Sequence, residues 1–146
     1  MNSAYPLVLH PERKVDLILS FDFSAGDPFL TVDQAQAYCK ENHLKFPKVE
    51  VSKKARAKPS DCYVFEGQGD TPTVIHIPLF NTVNCGGDIN KWQSRYNTFK
   101  ISYSEEDIKD LLEVAKSNVK RSRETISTQI QRVIAYKKQQ HGKHQY

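Results

Sequence analysis

The chain has 146 residues, 38% of them hydrophobic, with 21 basic and 17 acidic side chains. That is enough apolar material for a core, so the composition excludes a disordered segment. No stretch approaches the roughly 18 consecutive apolar residues of a membrane span, and no signal-peptide core opens the sequence. Three cysteines, Cys39, Cys62 and Cys85, are an odd number without paired spacing, which argues against a disulfide framework or a zinc site. A reducing, cytosolic setting is the simplest reading.

The charge is unevenly spread. From Lys116 onward stand eight basic residues (Lys116, Lys120, Arg121, Arg123, Arg132, Lys137, Lys138 and Lys143) against Glu124 alone, a net charge of +7. The first 115 residues hold 13 basic and 16 acidic residues, a net charge of −3.

In chain order, Tyr5-Pro6-Leu7-Val8-Leu9 reads as domain interior, with Met1 an incidental start. Within residues 15–23 a nearly continuous apolar run ends on a carboxylate, Asp22. Leu17, Ile18 and Leu19 are consecutive, the pattern of an α/β strand buried on both faces. In open α/β sheets ligands bind beyond the carboxyl ends of the strands, where Asp22 stands. Ala25 and Gly26 make a turn, Asp27 suits a helix N-cap and Pro28 the first helical position. Phe29, Val32, Ala35 and Cys39 follow at helical spacing as a buried face. The helix should fade near Asn42 and His43, with His43 at the surface.

Residues 48–61, with Lys53, Lys54, Arg56 and Lys58, read as a solvated surface loop. Residues 62–65 form a short strand, 67–72 a turn and 73–80 another strand. A polar loop with Trp92 is expected over 81–98, where Cys85-Gly86-Gly87 reads as a turn and Trp92 packs back on the domain. Ser104-Glu105-Glu106-Asp107 resembles a capping box. Ile108, Leu111, Leu112, Ala115 and Val119 then repeat on one helical face. A second helix should begin near Ser122 with Ile126, Ile130, Val133 and Ile134 on its face, followed by a frayed basic tail.

The segment Pro11-Glu12-Arg13-Lys14-Val15-Asp16-Leu17-Ile18-Leu19-Ser20-Phe21-Asp22-Phe23-Ser24-Ala25 resembles the cytosolic (group IV) phospholipase A2 catalytic domain, within its last portion. Leu44-Lys45-Phe46-Pro47-Lys48, Asp61-Cys62-Tyr63-Val64-Phe65 and Pro72-Thr73-Val74-Ile75-His76 resemble it in the same order. The resemblance implies an α/β fold: the C-terminal part of a patatin-like catalytic domain, incomplete alone, with a buried central strand plus helices. Residues 1–121 would be that part, and 122–146 its terminal helix and basic tail.

The resemblance also implies a serine–aspartate dyad that hydrolyses the acyl ester of glycerophospholipids, with Asp22 as the aspartate. A serine hydroxyl needs a base to become nucleophilic, and desolvation raises the basicity of a carboxylate in a dry crevice. On position alone, Asp22 equally suits a cap on its own turn. The serine is missing, because no Gly-x-Ser-x-Gly elbow occurs. The chain by itself is therefore expected to be inactive. A triad of His76 with Asp22 is the alternative to a buried histidine satisfied by hydrogen bonds.

No cofactor is expected in this chain; calcium would act through a C2 domain outside it. The expected partners are the remainder of the catalytic domain, the phospholipid substrate and an anionic membrane surface, with Lys137, Lys138 and Lys143 as lipid-surface contacts. The setting would be cytoplasmic with peripheral membrane association. Alternatives are a non-catalytic anionic-lipid module, working through the basic end, and an N-acyltransferase of the same family. Nucleic acid is not expected, because the basic residues lack interleaved aromatics and a recognition motif.

Overall fold

The computed structural model describes residues 3–24 and 26–143, without the side chain of Lys143. Ala25 of the expected turn lies outside the described residues. A helical turn, α1 (Tyr5–Val8), and a 3₁₀ turn (Pro11–Arg13) lead into β1 (Leu17–Asp22). Then come α2 (Leu30–Glu41), α3 (Lys53–Ala57), β2 (Tyr63–Phe65) and β3 (Thr73–Pro78). α4 (Ile89–Arg95) and α5 (Glu105–Lys143) close the chain.

The three strands form one sheet in the order β1-β3-β2. β1 and β3 are parallel, with Leu17 opposite Thr73 and Asp22 opposite Pro78, and β2 runs antiparallel to β3. Parallel neighbours require a crossover, and α2 lies within it. The architecture is mixed α/β.

α2 covers one face of the sheet. Phe29, Val32, Ala35 and Cys39 are closed off from solvent, as their spacing predicts, against Ile18 and Val74 with Tyr5, Leu9 and Phe65 around them. The helix starts later than expected, at Leu30. Phe29 rather than Asp27 is its N-cap, and Asp27 Oδ1 instead accepts the Phe29 N–H at 2.9 Å in the turn that Pro28 and Phe29 form ahead of the helix. The helix ends at Asn42, and exposed His43 leaves it with φ 55°.

The loop expected over 48–61 contains α3, because Ser52 caps it by accepting the Ala55 N–H at 3.1 Å. Arg56 is more than a solvated charge. It pairs with Asp27 at 2.9 Å and Asp33 at 2.8 Å, and its guanidinium lies 5.6 Å from the Phe29 ring centre. α4 likewise interrupts the polar loop of 81–98, capped by Asp88. Gly86 (φ 59°) and Gly87 (φ 88°) make a turn that an L side chain would strain. Trp92 packs back onto Phe80, ring centres 5.9 Å apart.

The capping box forms in both directions. Ser104 Oγ accepts the Asp107 N–H at 3.1 Å, and Asp107 Oδ2 accepts the Ser104 N–H at 3.0 Å. Beyond it the expected pair of helices is one 39-residue helix, α5. Nothing between Lys116 and Glu124 is a glycine or proline, so no residue there interrupts the backbone hydrogen bonds. The basic end is helical through Lys143 rather than frayed.

α5 touches β1 and β3. Strand alternation places Ile75 and Ile77 on the face away from Val74 and His76, and both are buried. Asn118 fixes α5 to the end of β3. Its Nδ2 donates to the Pro78 and Leu79 carbonyls at 3.2 and 2.9 Å, while its Oδ1 accepts from Asn81 and Asn84, each at 2.9 Å. Farther along, Arg132 pairs with Glu66, and Lys137 with Asp16 at 2.9 Å.

On this side β1 is an edge strand of these 146 residues and Leu19 and Phe21 are about two-fifths exposed, which agrees with the expectation of a part that is incomplete alone. The apolar face expected for α5 is only partly covered. Leu111, Ala115, Ile126 and Val133 are half-buried and Val114 is buried with Phe80, Cys85 and Ile89, whereas Ile108, Leu112, Val119, Ile130 and Ile134 face solvent. Asn118, Ser122 and Gln129 also face inward, and of these Asn118 meets the strand-end carbonyls, which need donors.

Candidate active site

Asp22 ends β1, where the parallel ladder of β1 and β3 runs out. Its own carbonyl accepts the Leu79 N–H at 2.8 Å, which fixes the backbone on the β3 side. Its side chain points to the α2 face with Ile18 and Ser20, because the three alternate along the strand. Asp22 is 7% exposed and lines a cavity of about 410 Å³ with Tyr5, Ile18, Ser20, Ser24 and Thr31. Both carboxylate oxygens are engaged by one residue. Oδ1 accepts the Ser24 N–H at 2.9 Å and Oδ2 accepts the Ser24 hydroxyl at 3.0 Å. A carboxylate holding the backbone two residues on is the usual device of a tight turn.

His76 lies directly across from Ser20 in the β1–β3 register and is fully buried. Its Nε2 is 2.7 Å from the Pro28 carbonyl and its Nδ1 is 3.0 Å from Ser20 Oγ. A carbonyl only accepts, so Nε2 carries the proton, and Nδ1 accepts from the Ser20 hydroxyl. Burial pushes the imidazole pKa down, against smaller upward pulls from the Pro28 carbonyl, Asp22 and Asp33. His76 is therefore a neutral, doubly hydrogen-bonded residue tying β1, β3 and the entry to α2 together. This is the satisfied buried histidine of the sequence reading.

Ser20 is the member of this cluster that sequence reasoning missed. Its signal was available, since it stands two residues before Asp22 on the same strand face. What the sequence lacked was the register that sets it against His76. The Tyr5 hydroxyl is buried in the same cavity without a well-formed hydrogen bond, and burial pushes its pKa up, with Ser20 nearby opposing part of that rise.

The remaining candidates lie elsewhere. Lys137 sits at the opposite end of β1, against Asp16, which raises its pKa by hydrogen bonding and charge. Lys138 is exposed on α5, and the side chain of Lys143 lies outside the described residues, as does His144. The three cysteines are free, and burial pushes each thiol pKa up, which disfavours the nucleophilic thiolate. Among the described residues no group of three or more His, Cys, Asp or Glu side chains is placed to hold a metal ion.

Comparison with known proteins decides the family. Cytosolic phospholipase A2 gamma of Mus musculus is 45% identical over 137 residues, 91% of this chain and 23% of the relative. The Homo sapiens gamma protein is 42% identical over 91% of this chain and 25% of its own length. Cytosolic phospholipase A2 zeta of Mus musculus is 31% identical over 98% of this chain and 19% of its length. The chain belongs to the cytosolic phospholipase A2 family. Its fold agrees: human GIVD cytosolic phospholipase A2, solved in complex with methyl gamma-linolenyl fluorophosphonate and terbium chloride, superposes with a TM-score of 0.80. That match has 29% identity and covers 90% of this chain and 22% of the other. No family model matches. The chain spans about a quarter or less of the length of these phospholipases A2.

Proposed function

We propose that the chain serves as the C-terminal part of a phospholipase A2 catalytic domain that hydrolyses the acyl ester of a glycerophospholipid. The observation that carries this reading is the similarity in sequence and fold to phospholipases A2 over nine-tenths of the chain. The nucleophilic serine would come from outside these 146 residues. Its oxygen attacks the ester carbonyl, the glycerol oxygen leaves with a proton, and water resolves the acyl-enzyme to a free fatty acid. An amine in place of water would make the same protein an N-acyltransferase. Calcium enters only through a C2 domain outside the chain, and membrane attachment through Lys137, Lys138 and Lys143, at the cytoplasmic face.

The exposed side chains of Leu19 and Phe21, and the apolar stripe of α5, support a further layer of the same domain as partner. Apolar surface of this extent is where a protein meets another body.

Asp22 has two roles open to it within this proposal. The resemblance implies the dyad base, and the cavity and the strand end support that. The two hydrogen bonds from Ser24 favour the other role, a cap that shapes the turn after β1, with the base supplied from elsewhere. Asp22→Asn in a full-length phospholipase separates them. A base lost from a nucleophile–base unit costs about 10⁴-fold or more in turnover with the fold intact. A lost cap lowers the unfolding midpoint and leaves turnover of the folded protein within about tenfold; we favour this outcome, on the Ser24 contacts. The whole reading fails if phosphatidylcholine vesicles are not hydrolysed by the full-length protein under any calcium or lipid condition.

A further inference from the structure

A second cavity, of about 530 Å³, opens at the other end of β1 from Asp22. Six strand residues at roughly 3.3 Å each put the two ends about 17 Å apart; the two cavities share Val8 in their walls, but none of the polar residues of the Asp22 cavity lines this one. Its size falls in the range of small-ligand sites, about 300–1,000 Å³. Its apolar wall comes from Val8, Leu9, Val15, Leu44 and Pro72.

Its charged groups converge from separate parts of the chain. Lys14 follows the 3₁₀ turn, Lys45 follows α2, and Lys137 comes from α5. Lys45 pairs with Asp70 at 3.1 Å and Lys137 with Asp16 at 2.9 Å, both carboxylates lining the same cavity. Lys14 forms no ion pair among the described residues. Three lysines therefore face two carboxylates. The backbone adds a separate observation. Lys14 (φ 47°) and His43 (φ 55°) are the non-glycine residues with positive φ among those described, and both line this cavity. Each is the left-handed residue that ends a helical turn, Lys14 after the 3₁₀ turn and His43 after α2, and these two endings place both residues at the cavity.

We propose that this cavity binds a phosphate-bearing anion among Lys14, Lys45 and Lys137, with its non-phosphate part against the apolar wall. Lysine ammonium groups are compact point charges suited to phosphate oxygens. In the unliganded state Asp16 and Asp70 hold two of the three, and an entering phosphate competes for them while Lys14 stands open. Among the described residues no phenylalanine, tyrosine or tryptophan lines the cavity. That disfavours a nucleic acid strand, which relies on aromatic stacking. The phosphate belongs either to a soluble monoester or to a lipid headgroup.

The experiment titrates inorganic phosphate and glycerol 3-phosphate into the 146-residue chain by calorimetry, at concentrations where sedimentation shows a monomer. A parallel arm measures co-sedimentation with phosphatidylcholine vesicles, with and without phosphatidic acid. We expect saturable binding of glycerol 3-phosphate that falls at least tenfold in Lys14→Gln/Lys45→Gln and in Lys45→Gln alone by a smaller factor. Lys53→Gln/Lys54→Gln removes the same charge from α3, away from the cavity, and should stay within twofold of the parent. Binding to phosphatidic acid vesicles, lost in the same variants, assigns the phosphate to a lipid; soluble binding without vesicle binding assigns it to a soluble monoester. Equal losses in both double variants, or no saturable binding of any probe, overturn the proposal.

Discussion

The two faces of the sheet are finished to different degrees. On the α2 side Phe29, Val32, Ala35 and Cys39 are 0–1% exposed, and every apolar residue spaced to point inward does so. On the α5 side Asn118 and Ser122 are buried at 2% and 1%, while Ile108, Leu112 and Val119 stand about half exposed and Leu19 and Phe21 about two-fifths exposed. The first face is a core, the second half core and half interface. α5 is held by Asn118 at the strand-end carbonyls and by buried Val114 beside Leu111, while the stripe of Ile108, Leu112 and Val119 stays exposed.

The contrast is sharpest in Phe29→Ala. Phe29 packs edge-on against Tyr63 with ring centres 4.8 Å apart and sits under the Arg56 guanidinium. Truncation leaves a cavity that the surrounding strands cannot fill. The expected loss is about 3–5 kcal/mol, read by urea unfolding. A loss under about 1 kcal/mol would mean that this face is not the core.

On the other face, Asn118→Ala is the corresponding test. It removes four hydrogen bonds and leaves the Pro78 and Leu79 carbonyls and the Asn81 and Asn84 amides short of a partner. Each of these groups keeps one partner, through Asn81 to Pro78 and Asn84 to Leu79, so the expected cost is that of the lost bonds rather than of orphaned groups, about 1–2 kcal/mol. Asn118→Leu tests whether packing alone suffices. Stability equal to the parent would show that α5 is held by apolar contact after all.

Acidity should weaken the finished face next. His76 is buried and neutral, with its pKa below the ordinary value of about 6.5. Below that ordinary value the unfolded chain takes up a proton that the folded chain refuses, so stability is full above about 6.5 and falls as pH drops towards the folded pKa. Unfolding midpoints between pH 7.5 and 5 should slope downward, and the slope should flatten in His76→Gln. An unchanged slope would place the titration on another group.

How much of this was legible in the sequence follows the same division. Periodicity worked for α2, because Phe29, Val32, Ala35 and Cys39 all answer to one core. It placed β1 and β3, whose apolar runs sit between turns. It held only in part on α5, where Leu111 and Ala115 are half-buried but Ile108, Leu112 and Val119 face solvent. Asn118 turns inward to Pro78 and Leu79 carbonyls that only the fold brings to it. The break expected at Ser122 came from a shift in the apolar pattern, and a pattern shift does not stop a helix where neither glycine nor proline stands. At the site, the strand-end rule placed Asp22 on a cavity. Its two bonds to Ser24 depend on side-chain geometry, and the Ser20–His76 pair depends on strand register, neither of which is written in residue spacing.

The smallest effect is the one that separates the faces most directly. Ile108, Leu112 and Val119 lie along one stripe of α5, exposed to solvent. Gln in their place keeps a good helix former and removes only exposed apolar surface. Each single substitution should change the stability of the 146-residue chain by no more than about 0.5 kcal/mol. The triple variant should also self-associate less in sedimentation, because the exposed stripe is the surface on which copies would meet. In a full-length phospholipase the same three changes should cost more, since there the stripe would be covered. A single change such as Leu112→Gln that destabilised the chain as much as Phe29→Ala would break the comparison. The stripe would then be part of a core within these 146 residues, and the open face would be closed by the chain itself.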